Sequence, residues 1–253
     1  MRGICGDGGN LVEITEICAR RDNMAVPVLS FEHVTGKGRK FHLEDISFEV
    51  MPGFIYGLTG KNGAGKTTLF QYIMKENAGY EGRICVDGED IKDNHAAIMN
   101  KVGLVSSDNS FFESCTCRQN AKVLGAFYDG FSMEKFETVM EEWKVPPGKV
   151  YRKMSRGEKY KFQLAFAIAH DPCLYLLDEV TAGMDPVFRR EFFDRMRQLI
   201  KDEKTSVLMT SHILSEMETG TDYTGVLKEG RLTAFGESPE VAIALERKFQ
   251  SLS

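Results

Sequence analysis

Three short apolar runs punctuate the chain: FIYGLTG (54–60), CLYLLDE (173–179) and SVLMTSH (206–212). Each is too short for a typical helix, and the last two end in polar residues. That is the pattern of strands buried on both faces of a parallel sheet. KVGLVSS (101–107) reads as a further buried strand. Nearer the start, VLSFEHV is strand-like. FHLEDISFEV (41–50) has apolar residues at 41, 43, 46, 48 and 50, which predicts one half-buried strand. Helical spacing takes over elsewhere. KTTLFQYIM follows a glycine-rich turn. VFRREFFDRMRQLI (187–200) is apolar at 188, 192, 193, 196, 199 and 200. SMEKFETVMEEW gathers Met133, Phe136, Val139, Met140 and Trp143 on one face until Pro146-Pro147 stops it. Strands alternating with helices predict an α/β domain, and the mainly helical stretch from about 108 to 170 reads as an insertion.

Residues 1–23 are glycine-dense, hold no period and read as a loose tail, with Met24 offering a second start. The remainder, 24–253, reads as one domain. No apolar run reaches the roughly 18 residues of a membrane span, since FQLAFAIAHDPCLYLL is broken by Asp171-Pro172. No signal-peptide pattern opens the chain. A net charge of −5, spread along the sequence, gives no basic face, so a nucleic-acid partner is not expected. Six cysteines without CxxC spacing predict reduced thiols, and the CxC pair Cys115 and Cys117 lacks the companions a metal site needs.

GKNGAGKT (60–67) matches GxxxxGK[ST], placed between a predicted strand and a predicted helix. Gly60, Lys61, Asn62, Gly63, Ala64 and Gly65 can curl with their amides inward around phosphate oxygens, leading into Lys66, Thr67 and Thr68 at the helix start. Lys66 reaches β- and γ-phosphates, and the Thr67 hydroxyl can ligate Mg²⁺. CLYLLDE ends in two carboxylates: Asp178 suits the metal's ligand shell, and Glu179 suits polarising a water. His212 closes a neighbouring strand at the same carboxyl edge and is placed for a γ-phosphate contact. In MSRGEK (154–159), Ser155 and Glu158 are spaced for a capping box.

GLTGKNGAGKTTL, MSRGEK, LYLLDEVTAGMDP and TSHILSE, in that order, resemble the ATP-binding-cassette (ABC) ATPases from about residue 28 to 236. The implied fold is α/β: a P-loop NTPase core with a mostly parallel sheet, an N-terminal antiparallel β subdomain and an inserted helical subdomain. The resemblance implies ATP with Mg²⁺. It also implies a head-to-tail dimer of identical or related subunits, in which Ser155 and Gly157 of the signature motif touch ATP held by the other chain. AGMDP (182–186) resembles the D-loop. Three departures stand out. Ser107, followed by Asp108, occupies the Q-loop position where the family carries a glutamine that helps hold the metal. Val180 replaces the proline after Glu179. Arg156 stands where the signature has glycine, and with Lys159 it adds positive charge. Phe41 is the candidate for stacking on adenine, with a plain core role equally open.

The expected function is therefore ATP hydrolysis, with catalysis by Glu179, His212 and Lys66, powering a membrane transporter of the export type. Its permease would be a separate integral membrane chain docking near Ser107–Phe112, which would hold this subunit on the cytoplasmic face of the membrane. A soluble ABC ATPase serving an assembly scaffold, such as iron–sulfur cluster assembly, is the alternative.

Overall fold

Ile55–Thr59 (β3) has no exposed residue because it is the middle of a sheet, with a parallel strand on either side. The computed structural model describes residues 26–37, 42–106 and 111–243. In chain order, the strands before the first helix are β1 (Leu29–Gly36), β2 (Ile46–Val50) and β3. The helix α1 (Lys66–Met74) follows, then β4 (Tyr80–Val86), β5 (Glu89–Asp90), α2 (His95–Met99) and β6 (Val102–Val105). Three helices come next: α3 (Cys117–Gly125), α4 (Met133–Glu142) and α5 (Arg156–Ala169). The remainder is β7 (Leu174–Asp178), α6 (Pro186–Leu199), β8 (Ser206–Ser211), α7 (Leu214–Gly220), β9 (Tyr223–Lys228) and β10 (Arg231–Glu237).

Two sheets result. The larger has the order β10-β9-β3-β8-β7-β6, parallel except for the β9–β10 hairpin. The smaller is antiparallel, in the order β2-β1-β4-β5. The mixed α/β class and the mostly parallel sheet are as the sequence predicts. The apolar runs correspond to β3, β6, β7 and β8, and their carboxyl ends share one edge of the sheet. Such edges are where open α/β sheets bind ligands.

The reading of 41–50 as one strand is corrected. β2 begins only at Ile46, because Asp45 adopts a φ of 50° and turns the chain. Before it, Glu44 donates its amide to Gly230 at 2.8 Å and Leu43 accepts from the Gly36 amide at 2.8 Å. This segment is therefore tied to two other elements rather than to a ladder of its own.

Helices α3, α4 and α5 enclose an apolar cluster separate from those of the sheets, centred on Phe136, Met140, Tyr151 and Phe162. Cys117 lies in it, fully buried, with its thiol 3.4 Å from the Lys149 carbonyl. A buried amide side chain links this cluster to the large sheet. Gln163 on α5 accepts from the Ser106 amide at 2.9 Å and donates to the Tyr151 hydroxyl at 3.1 Å. The tail 1–23 lies outside the described residues.

Candidate functional site

The loop from Gly60 to Thr67 carries the chain from β3 into α1. Gly65 is the residue at which the helix starts, with a φ of 113° that side chains rarely adopt. A Cβ on Gly60 would collide with the Leu227 carbonyl oxygen, so the loop is pressed against β9. Ala64 closes a turn by donating to Lys61 at 3.0 Å. α1 opens with no side-chain cap and no acid in its first turn. Helices α2 to α6, by contrast, are capped by Asn94, Thr116, Ser132, Ser155 and Asp185. The first amides of α1 are thus left for an outside acceptor, at the end of the helix where the dipole favours an anion.

Lys66 is 4% exposed. Its ammonium donates to the Gly60 carbonyl at 2.7 Å and stands 3.5 Å from Glu179 Oε1. Asp178 lies opposite Thr210 in the β7–β8 register. Thr210 Oγ1 donates to Asp178 Oδ1 at 2.6 Å and accepts from the Glu179 amide at 3.0 Å. Thr67 Oγ1 donates to the other carboxylate oxygen, Asp178 Oδ2, at 3.1 Å. Glu179 has a φ of 48°, in the region that non-glycine residues seldom occupy and that clusters at functional sites. Its other oxygen, Oε2, faces His212 Nδ1 at 3.9 Å. Lys66, Thr67, Asp178, Glu179 and His212 therefore meet in one crevice, although 146 positions separate the first from the last.

These groups fit a nucleotide triphosphate and its divalent ion. An uncapped helix start and a buried ammonium suit phosphate oxygens. A threonine hydroxyl beside an aspartate is a pair of hard oxygen donors suited to Mg²⁺. Phe41, Ser107 and Asp108 lie outside the described residues.

Ser155 and Gly157 are not in this crevice. Among the described residues, no hydrogen bond or ion pair joins residues 155–157 to the 60–68 loop. The capping box at the start of α5 is complete. Ser155 Oγ accepts from the Glu158 amide at 3.3 Å, and Glu158 Oε2 accepts from the Ser155 amide at 2.9 Å. Lys149 grips the same carboxylate at 2.7 and 2.8 Å. The Lys149 hydrogen bond, with the Ser155 amide, lowers the Glu158 pKa below its ordinary value. Ser155 Oγ is used as an acceptor here, so its proton is left to donate outward. Beside Gly157 the space is open. Arg156 folds back along its own helix: Nε donates to the Tyr160 hydroxyl at 3.0 Å, and the guanidinium reaches toward Gly183. Lys159 turns to Glu113 at 3.3 Å and lies over the Tyr151 ring. Neither cation projects straight out from the start of α5.

Sequence reasoning missed Thr210. The only signal was a hydroxyl residue near the end of an otherwise apolar strand. Its partners become evident only once β7 and β8 are paired.

A model of the ABC transporter family matches residues 43–182. YtrB, an ABC transporter ATP-binding protein of Bacillus subtilis (strain 168), is 33% identical over 191 residues, covering 76% of this chain and 65% of that protein. The bacitracin transport ATP-binding protein BcrA of Enterococcus faecalis is 32% identical, covering 81% of this chain and 68% of that protein. The Nod factor export ATP-binding protein I of Rhizobium leguminosarum bv. viciae is 34% identical, covering 79% and 65%. The chain thus spans about two thirds of the length of these relatives. Among solved structures, an ATP binding subunit of an ABC transporter superposes with a TM-score of 0.77 at 24% identity, covering 87% of this chain and 93% of that one. A bacterial Atm1-family ABC exporter superposes at 0.73 and 26% identity, covering 86% of this chain and 40% of that one. With the phosphate-loop motif, the order of the later motifs and the family model in agreement over more than half of its residues, the chain belongs to the ABC transporter family, as one of its ATP-binding proteins.

Proposed function

We propose that this chain binds and hydrolyses ATP to drive a membrane ABC transporter of the export type, working through a separate permease chain. The observation that carries the reading is the convergence on one crevice of Lys66 with Glu179 and of Thr67 with Asp178. In this reading the 60–68 loop and the start of α1 hold the phosphates, and Phe41 takes the adenine. Thr67, Asp178 and Ser107 would hold the metal. When bound, Mg²⁺ supplies charge neutralisation to the phosphate oxygens.

The remaining chemistry belongs to the chain itself. Glu179 accepts a proton from the attacking water as its oxygen joins the γ-phosphorus and ADP departs. Lys66 stabilises the charge that develops between the β- and γ-phosphates. His212, beside Glu179, contacts the γ-phosphate. Ser155 and Gly157 complete the site of a second ATP-binding subunit, whether another copy or a related chain. The exposure of Ser155 and the open space beside Gly157 at a helix start, away from this chain's own loop, support use by a partner. The γ-phosphate then biases an open–closed equilibrium of the pair, which is the motion a permease can use.

Among the described residues no helix is long and apolar enough to cross a membrane. Relatives named as transport or export ATP-binding proteins support placing the translocation path in another polypeptide. Phe112 and, on or just after α3, Val123 and Phe127 are exposed apolar residues, Phe127 to 79%. They lie in or near the segment expected to dock the permease, on the cytoplasmic face of the membrane. The Nod-factor-export relative favours export, and together with the bacitracin-transport relative it favours a transporter over an assembly scaffold.

The test is phosphate release by the purified chain with ATP and Mg²⁺, together with affinity purification from detergent-solubilised membranes. Mg²⁺-dependent release and recovery of a multi-spanning membrane protein are expected. Absence of release would overturn the hydrolytic part, and repeated failure to recover a membrane protein would overturn the transport part.

A further inference from the structure

Glu216, on α7, is an acid at 2% exposure, buried where an acid is costly unless it is paired. Its Oε2 atom accepts two hydrogen bonds, from Thr181 Oγ1 at 2.7 Å and from Ser211 Oγ at 2.9 Å. Its Oε1 atom stands 3.0 Å from Arg189 Nη2 on α6. That same nitrogen donates to the Met184 carbonyl at 3.0 Å. These three partners, and Met184 beyond Arg189, are placed tellingly. Thr181 is two residues beyond Glu179. Ser211 immediately precedes His212. Met184 lies in the AGMDP turn. One carboxylate thus gathers the segments that carry the proposed base and the proposed γ-phosphate ligand, and through Arg189 it reaches the turn between them and α6.

Stability alone does not explain the arrangement. Buried ion pairs are often no more stabilising than apolar residues of the same volume. This one is also imperfect, because Arg189 Nε and Glu216 Oε1 are buried without a well-aligned hydrogen bond. Unsatisfied buried groups of this kind cost free energy and call for a reason.

We propose that Glu216 is a positioning residue for hydrolysis, fixing Glu179 and His212 relative to each other and to the 182–186 turn. It touches no substrate and acts through Thr181, Ser211 and Arg189. The inference rests on the ATPase reading above. It predicts a loss of turnover without loss of nucleotide, because misplacing a reacting group by about 1 Å costs up to roughly a hundredfold in rate.

The test uses the full chain carrying Glu216→Gln and, separately, Thr181→Val, which removes one hydroxyl and keeps the shape. Two readouts are taken. In steady-state kinetics, kcat should fall by about tenfold or more while KM for ATP stays within about twofold of the parent. In amide hydrogen exchange without nucleotide, residues 179–184 and 210–213 should exchange faster while β3, β4 and α5 are unchanged. Unchanged exchange in both segments, or a kcat within about twofold of the parent in both variants, would overturn the proposal. Should the parent chain itself release no phosphate, the ATPase reading falls, and exchange alone decides whether Glu216 fixes the two segments.

Discussion

Lys66 Nζ lies 3.5 Å from Glu179 Oε1, so the cation proposed for the phosphates and the anion proposed for the water already face each other. A triphosphate entering the loop competes with the carboxylate for one ammonium. Glu179→Gln removes the competitor and the base together. Turnover should vanish while ATP binds about two- to fivefold more tightly, the roughly 0.5–1 kcal/mol expected of a partly exposed ion pair. A fluorescent ATP analogue read by titration, beside phosphate release, checks both. Tighter binding with turnover intact would remove Glu179 from the chemistry.

Thr210 supports a second prediction. Its hydroxyl bridges Asp178 Oδ1 and the Glu179 amide, and Thr210→Val leaves both without that partner. The cost to folding is about 1–3 kcal/mol. The functional cost should appear as weaker use of metal, since Asp178 is no longer held in place. The Mg²⁺ concentration giving half-maximal turnover should rise, and a Mg²⁺ titration of phosphate release at saturating ATP would show it. An unchanged midpoint would confine Thr210 to a packing role.

How much of this was legible beforehand follows from where the determining contacts lie. β3, β7 and β8 were readable because strands buried on both faces need uninterrupted apolar residues, a signal contained in five or six neighbours. β4 was not, because Glu81, Gly82 and Arg83 expose its first half and leave no period to detect. Asp45 broke a strand that alternation favoured, and left-handed backbone at an aspartate has no signature in a hydrophobic pattern. Ser155 with Glu158 could be read because both halves of a capping box lie within one turn. Glu216 sat in plain view in TSHILSE. Its importance depends on Arg189 and Thr181, 27 and 35 positions earlier, which only folding brings to it.

His170 gives the molecule a pH dependence of known sign. Both ring nitrogens face carbonyls, Nδ1 toward Phe166 at 3.3 Å and Nε2 toward Val102 at 3.2 Å, and the ring stacks on Tyr128 at 4.2 Å. Burial lowers its pKa below 6.5 and outweighs the two carbonyls, which act to raise it. The unfolded chain therefore takes up the proton first as pH falls. The stability this residue contributes is fully present above pH 6.5 and is lost as pH drops toward the lowered value. Chemical denaturation of the parent between pH 7.5 and 5 should show this decline, and His170→Phe should flatten it. A parent whose midpoint rises on acidification through that range would contradict the assignment.

The last prediction concerns which chain's ATP Ser155 serves. Its hydroxyl is exposed at the start of α5, and among the described residues of its own chain it hydrogen-bonds only within the capping box. Ser155→Arg should abolish turnover while leaving ATP binding to the isolated chain nearly unchanged, because the 60–68 loop is untouched. Lys66→Ala should lose ATP binding and keep an intact signature segment. Each variant alone is then inactive, for complementary reasons. When the two are mixed, half of the dimers pair one of each, and one of the two sites in such a dimer unites a sound phosphate loop with a sound Ser155. About a quarter of the parent's phosphate release should return if the sites work independently. Restoration that depends on mixing cannot come from a serine acting on its own chain's nucleotide. A mixture no more active than its separate components would assign Ser155 to the capping box alone or require a different partner subunit, and adding a candidate related subunit to the Lys66→Ala chain distinguishes those two outcomes.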